Sequence, residues 1–205
     1  MNRPDPVAPT QRNRNRILLL AIFGLFLGSL LVAGVLRFSG WRPAGMKNKG
    51  ELLQPPADLR ALAPKLLDGS DYQWQPINRT WRIVLAPPVD CGNECTKAAR
   101  DVHTVWELLG REATRVDVLW LCASEPCAPP ADAPKQANLR LLRPDAALRA
   151  KLPQVDALPT ASAVGSVAGV PVYVIDPNGF VILRYAAGSD PGDLRSDLAK
   201  LLKLK

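Results

Sequence analysis

Hydrophobic and polar positions divide the chain into three regimes. The first is an apolar run from Ile17 to Leu36 without a single charge. A helix of 20 residues rises about 30 Å, the thickness of one hydrocarbon core. A cleaved signal peptide carries a shorter apolar region of about 7–15 residues, so the pattern predicts an uncleaved transmembrane helix over residues 17–38. Residues 1–16 before it are polar and hold Pro4, Pro6 and Pro9, and they read as an unordered cytoplasmic tail. Gly24 and Gly28 form a GxxxG pair, compatible with a helix-dimer face, although Gly is common in membrane helices in any case.

The second regime, residues 39–72, is mixed and punctuated by Pro43, Pro55, Pro56 and Pro64. It reads as a juxtamembrane connector that packs partly on the following domain. Asp58 to Leu67 places Leu59, Leu62 and Leu66 on one side of a short helix that Pro64 would interrupt. Tyr72 and Trp74 alternate with polar neighbours, as in a short strand.

The third regime, residues 73–205, alternates between strand and helix patterns. Arg79 to Ala86 reads as a strand ending in a buried run, stopped by Pro87-Pro88. Gly92 to Leu109 carries an apolar stripe of period 3.6 through Cys95, Ala98, Ala99, Val102, Val105, Trp106 and Leu109, with Gly110 as a stop. Arg115 to Leu121 is a second strand, so the three elements predict a βαβ unit with parallel strands and a right-handed crossover. A Pro- and Ala-rich loop leads to a short strand at Leu139–Leu142 and a short helix at Asp145–Lys151. Small residues from Asp156 to Gly169 read as another loop. Val170–Ile175 and Phe180–Tyr185 predict antiparallel strands around the turn Asp176-Pro177-Asn178-Gly179. Asp190 and Pro191 then open a final helix with Leu194, Leu198, Leu201 and Leu202 on its buried side.

Charge alters little in this picture. Of the net charge of +7, residues 1–16 contribute +3 through four Arg and one Asp. The remaining excess is scattered, with no basic stripe interleaved with aromatics, which argues against nucleic-acid binding. The tight Arg12, Arg14, Arg16 cluster favours a cytoplasmic N-terminus, and a long C-terminal domain translocates largely regardless of its charge. The chain therefore reads as a single-pass protein of a bacterial inner membrane with its C-terminal domain in the periplasm.

The chemistry lies in four cysteines. Cys91 falls where the first domain strand hands over to a helix, among backbone N–H groups and the positive helix end that stabilise a thiolate. Cys95 is one turn on, on the same face, with its Cα roughly 6 Å away and within disulfide reach. Asp90 and Glu94 flank the pair and oppose thiolate formation. Cys122 and Cys127 follow the neighbouring strand, so the two pairs are expected on one edge of the sheet. Three arrangements stay open: two local disulfides, a metal site of four thiolates, and cross-pairing or free thiols. His103, the one histidine, is eight residues from Cys95, roughly 12 Å along a helix axis, and cannot join it on one metal. There is no serine–histidine triad pattern, no Gly-rich phosphate loop, and no paired carboxylates beyond surface scatter.

The order strand, CxxxC helix, strand, loop and helix, Pro-strand, hairpin, helix resembles a thioredoxin-like α/β fold, a central mixed sheet flanked by helices. Gly169-Val170-Pro171 ahead of a strand resembles the loop that carries that fold's cis-proline. The resemblance implies a cis Pro171 facing the cysteine pair and helping to dock an extended partner segment. A membrane anchor, a connector and CxxxC together resemble the Sco/SenC family of cytochrome oxidase assembly factors, from about Arg79 to the C-terminus. That resemblance implies Cys91 and Cys95 as redox thiols or Cu(I) ligands, with a cysteine-containing respiratory oxidase subunit or redox partner as client. The family's distal histidine is missing, with Ala168 near its place. The alternatives are a Cu(I) chaperone without redox turnover, and a binding module that keeps the fold without chemistry.

Overall fold

The computed structural model describes residues 9–39, 48–129, 134, 138–156 and 169–203. Two compact units are present, Met1–Met46 and Lys47–Lys205. In the first, helix α1 spans Pro9–Phe38. Residues 9–16, read from sequence as part of the tail, are helical, because a proline is tolerated in the first turn of a helix. Residues 1–8 of that tail lie outside the described residues. The stretch Asn13–Phe38 is long and apolar enough to cross a membrane. Its large side chains are exposed all round, Leu25 at 77% and Phe38 at 91%, as a lipid-facing helix requires.

Among the described residues, the second unit holds six strands: β1 (Glu51–Asp58), β2 (Trp81–Leu85), β3 (Val116–Leu121), β4 (Leu139–Leu142), β5 (Val172–Ile175) and β6 (Phe180–Tyr185). Helices α2 (Gly92–Leu108), α3 (Ala146–Lys151) and α4 (Pro191–Leu201) complete it. The sheet runs in the order β1-β6-β5-β2-β3-β4. Strands β2, β3 and β4 are parallel, while β5 and β6 join antiparallel on one side of β2. This is the mixed sheet of a thioredoxin-like fold, with the predicted βαβ unit at its centre.

Side-chain parity assigns the faces. Trp81, Ile83 and Leu85 of β2, with Val116, Val118 and Trp120 of β3, pack against Val102 and Val105 of α2 and Leu194, Leu198 and Leu202 of α4. Val84 and Ala86, with Leu119 and Leu121, face the other way and meet Leu148 of α3 and the segment Leu59–Trp74. Burial on both faces explains why β2 and β3 read as nearly continuous apolar runs. Asp145 and Asp190 cap α3 and α4, accepting from the backbone N–H of Leu148 (2.9 Å) and Gly192 (2.8 Å).

Residues 51–72, read as a connector packing partly on the domain, supply a strand and part of the core. β1 pairs with β6, with a register shift between Leu52 and Ala57 around Pro55 and Pro56. The short helix expected over 58–67 does not form. Leu59 and Leu62 turn under the sheet, and Lys65 and Leu66 bridge to Asp71 and Leu142. Tyr72 and Trp74 are buried as expected, but as an edge-to-face pair 5.4 Å apart over Arg82 rather than as a strand.

Buried Asp197 on α4 ties down the start of the unit. Its Oδ2 accepts from the N–H of Lys49 (2.6 Å) and Gly50 (2.9 Å) and from the Tyr185 hydroxyl (2.9 Å). Lys200 Nζ reaches Oδ1 at 3.0 Å. Residue 50 has to be glycine, since a Cβ would lie 2.6 Å from the Tyr185 ring. Burial raises the Asp197 pKa, but the Gly50 N–H, Lys200, the Lys49 N–H and the Tyr185 hydroxyl outweigh it and hold the carboxyl below its usual value. A lowered folded pKa means stabilisation that is present above the unfolded value and is lost as pH falls through the folded one. Asp197→Asn should therefore cost about 2 kcal/mol near neutrality. The gap to wild type should close below about pH 4. Denaturation followed by tryptophan fluorescence at several pH values checks this; a pH-independent gap would refute the carboxylate's role.

Candidate functional site: two disulfides on one groove

The first site element is the link between β2 and α2. β2 ends at Leu85, and Pro87-Pro88 cannot continue a ladder that needs N–H donors. The loop is held from below by Arg149 of α3, whose guanidinium donates to the Pro87 carbonyl at 3.1 Å and pairs with Asp156 at 2.6 Å. Cys91 is the N-cap residue of α2, and no side chain caps the helix there. The N–H groups of Glu94 and Cys95 turn to the Cys91 carbonyl at 3.1 and 3.4 Å, which closes the first turn. Gly92 has φ +47°, a conformation that strains any side chain, so the residue after Cys91 is glycine for backbone reasons.

Cys91 and Cys95 form a disulfide, Cα atoms 5.3 Å apart. Cys91 is half-buried at the groove, while Cys95 is 8% exposed and packs into the α2 face of the core. This is the expected thiol pair at a strand-to-helix handover, with one reachable sulfur and one sheltered sulfur.

The second element follows β3. Parity runs on through Val116, Val118, Trp120 and Cys122, so Cys122 points to the same side as α2 and is 5% exposed. Its N–H donates to Leu142 of β4 at 3.0 Å, which keeps it in the ladder. The chain then turns through 123–126 and brings back Cys127, half-buried, in a disulfide with Cα atoms 5.6 Å apart. Among the described residues no cysteine is free. The bridges are thus the two local ones, not a four-thiolate cluster. Taken only as a staple for its small loop, the second bridge would add about 2 kcal/mol.

Both bridges line one open groove of about 680 Å³. Pro87, Pro88 and Val89 form one wall, Ala123, Ser124 and Pro126 the other, and Trp120 lines it as well. Val89 is 70% exposed beside Cys91, an apolar contact available to a docking chain.

Other expectations fare differently. Pro171 lies beside the β2 end, its carbonyl accepting from Ala86 at 3.3 Å, and it is buried. The cis bond expected at Val170–Pro171 is not present. Among the described residues the cis peptides are Gln54–Pro55 and Glu125–Pro126, and Pro171 does not line the groove. Pro171 starts a strand, giving the ladder a carbonyl and withholding an N–H, which a trans proline does without cost. His103 sits on α2 and meets Glu107 at 3.4 Å, away from the sulfurs as expected. Ala168 lies outside the described residues. Arg149 was missed by sequence reasoning, because nothing local links an arginine on α3 to a loop 62 residues earlier.

A family model described as the transmembrane-like, thioredoxin-like, C-terminal domain matches residues 81–205. No curated protein matches by sequence. Among solved structures, BsSco, a member of the Sco family of cytochrome c oxidase assembly proteins in which a disulfide switch was identified, aligns at TM-score 0.51 and 15% identity. That alignment covers 77% of this chain and 97% of BsSco. Yeast Sco1 with copper bound aligns at TM-score 0.51 and 12% identity, covering 78% of this chain and 96% of its own. A SCO1/SenC family lipoprotein from Bacillus anthracis gives TM-score 0.50 and 16% identity, covering 74% and 97%. At such identities the likeness is one of fold, the thioredoxin-like fold that Sco/SenC proteins share.

Proposed function

We propose that this chain, which belongs to the transmembrane-like, thioredoxin-like, C-terminal domain family, is a membrane-anchored thiol–disulfide exchange protein. Its domain works on the periplasmic side of a bacterial inner membrane, with the N-terminus in the cytoplasm. Its client is a cysteine pair in a respiratory cytochrome oxidase subunit during assembly. The observation that carries the reading is the asymmetry of the first bridge. Cys91 is reachable at a helix N-terminus, and Cys95 is sheltered one turn behind it.

In the reducing direction the Cys91 thiolate attacks one sulfur of a client disulfide and releases the other client sulfur as a thiolate. Cys95 then attacks Cys91 Sγ and frees the client's remaining sulfur. One disulfide is broken in the client, one is made between Cys91 and Cys95, and two electrons pass to the client. The reverse sequence oxidises a client dithiol by the same bonds. The helix N-terminus stabilises the Cys91 thiolate in both directions.

Cys95→Ser removes the resolving sulfur and should leave Cys91 joined to its client. In membranes carrying the full chain, a reductant-sensitive adduct is expected on a non-reducing gel, absent from Cys91→Ser/Cys95→Ser. Mass spectrometry should identify an oxidase subunit in it. No adduct, with the wild-type Cys91–Cys95 bridge unreactive to dithiols in the folded chain, would overturn the exchange reading. An adduct lacking any oxidase subunit would overturn the client.

A second reading takes Cu(I) as cargo rather than electrons, since soft thiolates favour it. Once reduced, Cys91 and Cys95 offer two thiolates on an open groove, but no group of three or more His, Cys, Asp or Glu is gathered among the described residues. The first pair alone thus fits a two-sulfur Cu(I) site. Anaerobic Cu(I) titration of the reduced chain decides: unchanged stoichiometry in Cys91→Ser would remove this reading.

A further inference from the structure

The groove that exposes Cys91–Cys95 exposes Cys122–Cys127 as well. A bridge that only pinned the 123–126 turn would have no need to face α2. Here β3 parity directs Cys122 into the same core layer as Cys95, and both residues are more than nine-tenths buried there. Cys91 and Cys127 are the half-buried members of their pairs. The arrangement is symmetrical: two sheltered sulfurs in one layer, two reachable sulfurs, and Trp120 lining the same groove.

The strands explain the convergence. β2 and β3 are parallel neighbours with Leu85 opposite Trp120, so Ala86 and Leu121 end side by side. One chain leaves toward Cys91 and the other toward Cys122 from ends about 5 Å apart. The α2 helix then carries Cys95 back over the sheet face that Cys122 occupies. Neither half of this depends on the other's sequence, yet both deliver a cysteine to one groove and one core layer.

We propose that Cys122–Cys127 is a second redox centre that exchanges its disulfide with Cys91–Cys95 through a transient Cys95–Cys122 bond. This rests on the exchange reading above and extends it to a relay. The relay begins with the second pair reduced by the dithiol of another protein, which leaves as a disulfide. The Cys122 thiol gives up its proton to water, and its thiolate attacks Cys95 Sγ. The Cys91–Cys95 bond breaks and Cys91 leaves as a thiolate at the helix N-terminus, where it is stabilised before taking a proton. Cys127, having lost its proton, attacks Cys122 Sγ and releases Cys95, which is protonated in turn. One disulfide has moved from the first pair to the second, and two electrons have moved the other way. The electron donor meets the chain at Cys127 and the client meets it at Cys91. The two partners then need not compete for one sulfur.

The test uses the full chain in detergent. Cys91→Ser/Cys127→Ser leaves only the two sheltered sulfurs. After reduction, removal of reductant, mild oxidation with diamide, acid quench and denaturation, peptide mapping should recover an intramolecular Cys95–Cys122 cross-link. Two free thiols, or two separate adducts, in a variant with native tryptophan fluorescence would overturn the relay. If that variant loses native fluorescence, Cys127→Ser alone decides. Its Cys122 thiol shares the groove with an intact Cys91–Cys95 bridge, so on the relay reading Cys91 should go from undetectable to measurable alkylation, together with a Cys95–Cys122 peptide. Alkylation confined to Cys122 would overturn the proposal. The wild-type chain separates the two levels. Should Cys91–Cys95 cycle with an external dithiol while neither variant forms the cross-link, the relay fails and the exchange reading stands. Should that bridge resist dithiols in the folded chain, both fail.

Discussion

Cys91→Ser, made in a chain that also carries Cys122→Ser and Cys127→Ser so that the second pair cannot react, should lower thiol exchange with a disulfide substrate by on the order of a thousandfold or more, as removal of a nucleophile does elsewhere. The physical reason is position as much as element. A serine hydroxyl does not ionise in the accessible pH range and is no substitute for a thiolate. Cys95, which remains, is 8% exposed and lies one turn inside the helix, so it meets neither a client nor the N-terminal N–H groups. Stopped-flow reduction of a peptide disulfide by the pre-reduced chain measures the loss. Cys95→Ser offers the contrast: the first attack continues, the adduct persists, and turnover stops at one equivalent. Equal loss of the first attack in both variants would show that Cys91 is not the entering sulfur.

Arg82→Ala should be the most damaging change to stability, at about 3 kcal/mol and a fall in Tm of roughly 10 °C. Arg82 is 2% exposed under the sheet face opposite α2. Its guanidinium donates to the Tyr72 hydroxyl at 3.0 Å and to the Asp176 and Pro177 carbonyls at 3.2 and 3.1 Å. It also lies within 6 Å of the Tyr72 and Trp74 ring centres, at 5.8 and 5.6 Å. Burial pushes the Tyr72 hydroxyl's pKa up, which keeps it protonated and donating to Asp117 at 2.9 Å. One cation thus joins β2, the β5–β6 turn and the 72–74 segment. Truncation leaves a cavity and removes the guanidinium donor from the Pro177 carbonyl and from the Asp176 carbonyl, which keeps the Gly179 N–H. Arg82→Met keeps most of the volume and should lose clearly less. Thermal unfolding of the three proteins checks the order; equal losses for Ala and Met would point to charge alone.

Much of this architecture can be read from the chain, and the exceptions have physical causes. Ile17 to Leu36 could not be anything but a long apolar helix. The stripe from Cys95 to Leu109 and the branched runs on either side of it specify the central βαβ unit. Local chemistry also marked Asp190 as a cap, whereas Asp145, read as the first residue of its helix, is the cap of α3 instead. By contrast, β1 was hidden because Pro55 and Pro56 interrupt it, and prolines in a strand interior argue against a strand. Only the edge position, invisible in sequence, makes them tolerable. Leu59, Leu62 and Leu66 have helical spacing, yet they are buried by contacts with β4 and the 71–74 segment, and tertiary pairing overrode the local period. At the site, the Cys91–Cys95 bridge was legible from a four-residue spacing. The shared face of Cys122 could have been found by following the two-residue alternation from Val116 onward. The trans Pro171 could not, since residue type alone does not set the isomer of an X–Pro bond.

The two outermost strands carry a consequence for life in a crowded bilayer. Molecules confined to two dimensions collide often, and an open row of backbone donors would let neighbouring copies zip together into a growing ribbon. Here one margin has two consecutive prolines and a shifted register at its middle, so no uninterrupted row of donors is offered. The opposite margin is already occupied near its end, where Leu66 bridges Leu142 and Arg143 donates to Lys65 at 2.8 Å. The protein can therefore be packed densely in its membrane without templating its own polymerisation.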